Sequence, residues 1–121
     1  MTIPTLGNTV ENVSVVIPIY GNFDCRRINL AIESILAQEN VNIEVVVSEE
    51  NDSSRLEKIN DPRIKYLLSL PEFESGNRIL RPGKIRNLGV MASEGEFIYL
   101  SDSDIVFQNQ NYIEELTKLI E

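Results

Sequence analysis

Short β-branched runs alternate along this chain with stretches whose apolar residues recur every third or fourth position, the pattern of strands linked by amphipathic helices. Residues 13–17, VSVVI, form the first expected strand, because adjacent β-branched residues suit a strand buried on both faces. Pro18 is expected to end it. Ile28, Ala31, Ile32, Ile35 and Leu36 then share one face of a helix over residues 26–38, with Asp24 placed to cap its start. Residues 43–47 give a second strand that stops abruptly at Ser48-Glu49-Glu50-Asn51-Asp52-Ser53-Ser54. A short helix is expected over residues 55–59, a turn at Asp61-Pro62, and a strand over 64–68.

Residues 70–83 read mainly as a long polar connection, a candidate mobile region. Ile85, Leu88 and Ala92 place a helix over 84–92, which feeds a strand over 97–100. Tyr112, Ile113, Leu116, Leu119 and Ile120 form a last helical stripe. Repeated strand and helix signals predict a mostly parallel, three-layer α/β/α arrangement, with chemistry gathered at the C-terminal strand ends. Residues 1–12 have no sustained period and read as a leader before one domain over 13–121.

Charge and composition narrow the chemistry. Eleven Lys plus Arg against nineteen Asp plus Glu give a net charge of −8, which discourages binding to nucleic acid. The chain has one cysteine, Cys25, and no histidine, so an internal disulfide, a CxxC redox centre and a histidine zinc site are excluded. No apolar stretch approaches the roughly 20 residues that span a bilayer. A cytoplasmic protein, at most peripheral to a membrane, is the expected setting.

Asp102-Ser103-Asp104 follows the apolar run Phe97-Ile98-Tyr99-Leu100. Two carboxylates one residue apart at a strand end could hold a hard divalent cation that engages phosphate oxygens; a solvated acidic loop is the alternative. Glu49 and Glu50 form a second acidic pair at a strand end, where either could accept a hydrogen bond from a base or sugar. Arg78, Arg81, Lys84 and Arg86 could counter a diphosphate or merely balance the acidic surface. Pro18 and Tyr20 could shape a loop that stacks on a base or sugar. Gly83 through Gly89 is neither a Walker A loop nor a GxGxxG fingerprint.

The ordered set Val13-Ser14-Val15-Val16-Ile17-Pro18-Ile19-Tyr20, residues 43–54, Gly83-Lys84-Ile85-Arg86-Asn87-Leu88-Gly89 and Gly95 through Asp104 resembles the nucleotide-binding half of family 2 glycosyltransferases, which have a GT-A fold. The resemblance spans residues 13 to 107. It implies a sugar transfer from a nucleotide diphosphate sugar, with a UDP-sugar favoured, to a hydroxyl or amine acceptor, dependent on Mg²⁺ or Mn²⁺ and inverting at the anomeric carbon. Carried onto this sequence, Pro18 and Tyr20 shape the nucleotide pocket, and Glu49 leads Glu50 as the base reader. Arg86 contacts the diphosphate, and Asp102 and Asp104 organise donor and metal. The first and fourth predicted strands, residues 13–17 and 97–100, are expected side by side.

The resemblance also implies that the acceptor side and the general base lie beyond Glu121, so a donor-binding portion is expected. A noncatalytic nucleotide-sugar-binding or assembly domain, open to self-association, is the second reading. A sugar-nucleotide nucleotidyltransferase is the third.

Overall fold

A computed structural model describes residues 10–79 and 81–120. The elements run β1 (Glu11–Tyr20), α1 (Cys25–Leu36), β2 (Val41–Glu50), β3 (Ile64–Ser69), β4 (Glu72–Glu74), β5 (Asn77–Ile79), α2 (Pro82–Ala92), β6 (Phe97–Leu100) and α3 (Tyr112–Ile120). Four strands form one parallel sheet in the order β3-β2-β1-β6. The first and fourth predicted strands are therefore neighbours: Val13 to Val16 pair in register with Phe97 to Leu100. Strand order changes direction at β1, which opens a crevice beyond the strand ends.

Pleating assigns the two faces. Val13, Val15, Ile17 and Ile19 pack with Ile43, Val45 and Val47 against Ile28, Ile32 and Ile35 of α1 and Ile113 of α3. Alternate residues face the other way, as the two-residue period of a strand requires. There α2 lies so close that a Cβ at Gly89 would run into the Val16 side chain. Burial of Ile28, Ala31, Ile32 and Ile35 fixes α1 at about 1.5–3 kcal/mol for each large side chain. Asp24 caps that helix, accepting from the backbone N–H of Arg26 at 3.0 Å and Arg27 at 3.4 Å.

Five expectations need correction. Pro18 does not end β1, which continues to Tyr20. The Val16 carbonyl accepts from the Ser101 backbone N–H, so Pro18, two residues on, turns its missing N–H toward the same side, where β6 has already ended. Glu11 and Asn12 belong to β1 rather than to a leader, and residues 1–9 lie outside the described ones. No helix covers residues 55–59. Buried Leu56 anchors that segment, and side chains satisfy its backbone: Asn29 Nδ2 donates to the Glu57 carbonyl, and the Ile59 N–H donates to the Tyr66 hydroxyl.

The polar connection contains the antiparallel hairpin β4–β5. Ser75 and Gly76 turn it at φ of 52° and 80°, the left-handed pair that two-residue hairpin turns use. In α3 the buried positions are Ile113 and Thr117, whereas Leu119 and Ile120 of the predicted stripe are exposed. Among the described residues, no helix is long and apolar enough to cross a membrane.

Candidate functional site

Beyond the C-terminal ends of β1 and β6 lies a cleft of about 390 Å³, lined by Pro18, Ile19, Tyr20, Asn22, Phe23, Arg86, Asp102, Ser103 and Asp104. Five of the seven sequence-derived site residues therefore meet in one place, drawn from β1, α2 and the turn after β6. Adjacency of β1 and β6 brings residues more than 80 positions apart to one crevice edge.

Asp102 and Asp104 are exposed, and neither carboxylate is engaged in a hydrogen bond or ion pair among the described residues. Behind them Tyr99 packs edge-on against Phe107 at 5.8 Å. Burial pushes the Tyr99 hydroxyl above its usual pKa, helped by Tyr112 and by the charge of Asp102. An aromatic wall thus backs the acidic turn on the α1 face.

The other acidic pair divides by strand parity. Glu49 and Glu50 are 3% and 1% exposed, yet they point to opposite faces of the sheet. Glu49 is in register with Ile19 on the α1 face. Its carboxylate accepts from Asn51 Nδ2 at 2.8 Å, Ser54 Oγ at 2.7 Å and the Arg55 N–H at 2.9 Å. Asn51 Nδ2 also reaches the Gly21 carbonyl, and Arg55 donates to Asn22 Oδ1 at 2.7 Å. Glu49 thereby fastens the loop after β2 to the β1–α1 loop that supplies Asn22 and Phe23 to the cleft.

Glu50 is in register with Tyr20, on the face of Pro18 and α2. Arg78 Nη2 donates to its Oε1 at 3.1 Å and to its carbonyl at 3.0 Å. Arg78 was not among the sequence-derived site residues, although the basic cluster contained it.

That basic cluster is also divided. Arg78 is committed to Glu50, while Lys84 and Arg81 approach Glu72 at 2.7 Å and 3.6 Å. The hydrogen bond from Lys84 and both positive charges hold the Glu72 carboxyl below its usual pKa. Arg86 alone of the four lines the cleft, and it makes no ion pair or hydrogen bond among the described residues.

The donor set suits a hard divalent cation. Two free carboxylates could take part of the coordination shell of Mg²⁺ or Mn²⁺ while water and phosphate oxygens complete it. Among the described residues no group of three or more His, Cys, Asp or Glu side chains gathers as a closed protein cage.

Residues 14–121 match the family described as Glycosyl transferase family 2. The succinoglycan biosynthesis protein ExoO of Rhizobium meliloti (strain 1021) is 37% identical over 105 residues, covering 84% of this chain and 28% of that protein. An uncharacterized glycosyltransferase of Rickettsia bellii (strain RML369-C) is 35% identical over 103 residues, covering 78% of this chain and 13% of that protein. The crystal structure of S. aureus TarS residues 1–349 superposes with a TM-score of 0.63 at 25% identity, covering 90% of this chain and 32% of that one. The chain thus spans less than a third of each of these proteins.

Proposed function

The chain belongs to glycosyl transferase family 2, and from that premise we propose that its cleft binds a nucleotide diphosphate sugar together with Mg²⁺ or Mn²⁺. The observation that carries this reading is the convergence of Pro18, Tyr20, Arg86, Asp102 and Asp104 on one cleft at the switch in strand order. Pro18 and Tyr20 bound the nucleoside end. Arg86 supplies a cation toward the diphosphate, and Asp102 and Asp104 hold the metal.

A divalent metal held by Asp102 and Asp104 would supply charge neutralisation for a diphosphate leaving group. Arg86 adds a fixed positive group on the α2 side, where a guanidinium can pair two phosphate oxygens. In the whole protein the sugar passes to an acceptor hydroxyl or amine by direct displacement, which inverts the anomeric centre. Besides Asp102 and Asp104 no carboxylate among the described residues lines the cleft, and acceptor activation is assigned to no residue here.

Calorimetric titration of UDP in the presence and absence of Mn²⁺ tests the proposal. Metal-enhanced binding is expected, with Asp104→Ala abolishing the enhancement while the fold is retained. Equal UDP binding with and without metal, or none at all in folded protein, would refute it.

A further inference from the structure

A second groove, of about 680 Å³, lies at the far end of α1 from the cleft, between the turn after α1 and the segment 107–111 that leads into α3. Its volume falls within the ~300–1,000 Å³ of small-ligand sites. The 12 residues of α1 separate the two places by about 18 Å of helix. Hydrogen bonds tie the two walls to each other. The Glu39 N–H donates to the Gln110 carbonyl at 2.7 Å, Gln38 Nε2 to the Asn109 carbonyl at 2.8 Å, and the Phe107 N–H to Ser34 Oγ at 3.0 Å. The groove is therefore part of the fold before any ligand arrives.

Five carboxamides line it, from Asn40 to Asn111, with the acids Glu39 and Glu114, the ring of Phe107 and, among the described residues, no Lys or Arg. That charge disfavours an anion. The start of α3 offers an anion nothing either, because the Tyr112 and Ile113 N–H groups are already taken by the Asn109 carbonyl and Gln38 Oε1. The side chains of Glu39, Gln108 and Gln110 make no hydrogen bond or ion pair among the described residues. Asn111 Nδ2 is held by Glu115 Oε1 at 3.1 Å, which leaves its buried Oδ1 as an acceptor with no partner. A buried acceptor in that state is destabilising until a donor reaches it.

We propose that this groove binds a neutral oligosaccharide, as a saccharide site separate from the donor cleft. Each carboxamide presents donor and acceptor together, and each carboxylate an acceptor, which matches hydroxyl groups that both donate and accept. Phe107, edge-on to Tyr99 and tilted on Tyr112, is braced to offer an apolar surface to the C–H face of a sugar ring. A divalent cation fits less well, since no third acidic side chain gathers with Glu39 and Glu114 among the described residues. The site stands independently of nucleotide binding in the cleft.

Side-chain amide resonances of ¹⁵N-labelled protein read the groove directly. Cellotetraose, maltotetraose and chitotetraose are titrated in turn, with tetragalacturonate as the anionic comparison and CaCl₂ as the cation comparison. At least one neutral tetrasaccharide should give saturable shifts at the Gln108 and Gln110 amides and none at Tyr20, Arg86 or Asp102, and tetragalacturonate should bind more weakly. Gln108→Ala combined with Gln110→Ala, both exposed positions, should keep the wild-type Tm and weaken that binding about tenfold, the loss of two neutral hydrogen bonds. The proposal is overturned by no shift with any neutral tetrasaccharide, by shifts confined to the cleft or produced only by CaCl₂, by tetragalacturonate binding as tightly, or by unchanged affinity in the double variant.

Discussion

Gly89→Ala sets two effects of opposite sign against each other. Helix propensity alone favours alanine in the interior of α2 by about 1 kcal/mol. Packing opposes it, because the new Cβ would collide with the Val16 side chain. Val16 is 0% exposed on β1, a central strand with β2 and β6 on either side, and its β-branched χ1 is stiff. The methyl group cannot be accommodated by a rotamer change, so α2 must retreat from the sheet. Overpacking of this kind costs about 1–3 kcal/mol, and the unyielding neighbour places it near the upper end. The net is a destabilisation of about 2 kcal/mol, or roughly 6–12 °C in Tm for a domain of this size.

The retreat also carries Arg86, one turn earlier on α2, away from the cleft, so UDP affinity should fall with stability. Gly83→Ala is the control. Its Cβ would meet nothing within 4 Å, and only propensity acts, so Tm should hold or rise slightly. Adding Val16→Ala should recover much of the Gly89→Ala loss, a coupling above about 0.5 kcal/mol in a double-mutant cycle. Thermal melting by circular dichroism reads all five proteins: wild type, Gly83→Ala, Gly89→Ala, Val16→Ala and the double variant. Gly89→Ala melting at or above wild type would refute the packing argument and leave propensity as the deciding effect.

Glu44 should contribute to the acid sensitivity of the fold. Burial raises its pKa, but hydrogen bonds from Lys65, the Glu94 N–H and Ser14 outweigh burial and set it below the ordinary 4.5. A depressed folded-state pKa means stability present above 4.5 and lost as pH falls through the folded value. Glu44→Gln should therefore lower Tm at neutral pH and flatten its fall below pH 4.5; an unchanged slope would remove Glu44 from the acid transition. Gln38, 7% exposed, donates from Nε2 to the Asn109 carbonyl at 2.8 Å and accepts the Ile113 N–H on Oε1 at 2.9 Å. It caps α3 from the turn after α1, and Gln38→Leu strands the Ile113 N–H at about 1–3 kcal/mol, while the Asn109 carbonyl keeps the Tyr112 N–H. A urea midpoint equal to wild type would show that solvent replaces the cap.

The parallel sheet was legible in the sequence because its strands are dense in β-branched residues and its helices carry clear stripes, as at Ile28, Ala31, Ile32 and Ile35. What escaped is structure held by side-chain to backbone contacts or by partners distant in sequence. Residues 55–59 carry a helix-like apolar spacing, but Asn29, Tyr66 and Glu49 draw their backbone groups into separate bonds. Strands β4 and β5 have three residues each, too few for a period to show, and their turn uses Ser75 where Asn is the usual signal. Four basic residues within nine positions could not be ranked for the cleft without knowing that Glu50 and Glu72 engage three of them.

Glu49 and Glu50 show how one residue of strand phase divides two like side chains. The sequence offers two acids with the same chemistry, and side-chain reach gives no basis for choosing between them. Pleating makes the choice: Glu49 lies in phase with Ile17 and Ile19 on the α1 face, and Glu50 in phase with Pro18 and Tyr20. Each then needs different compensation for burial. Glu49 is neutralised by the dipoles of its own loop, whereas Glu50, in register with Tyr20 on the other face, takes a cation from a hairpin 28 residues further along the chain. Breaking a buried ion pair by removing one partner costs about 3–5 kcal/mol. Ordering of β4–β5 is thereby coupled to the buried acid at the end of β2, and a change that loosens the hairpin should be felt first at Glu50 rather than at Asp102 or Asp104.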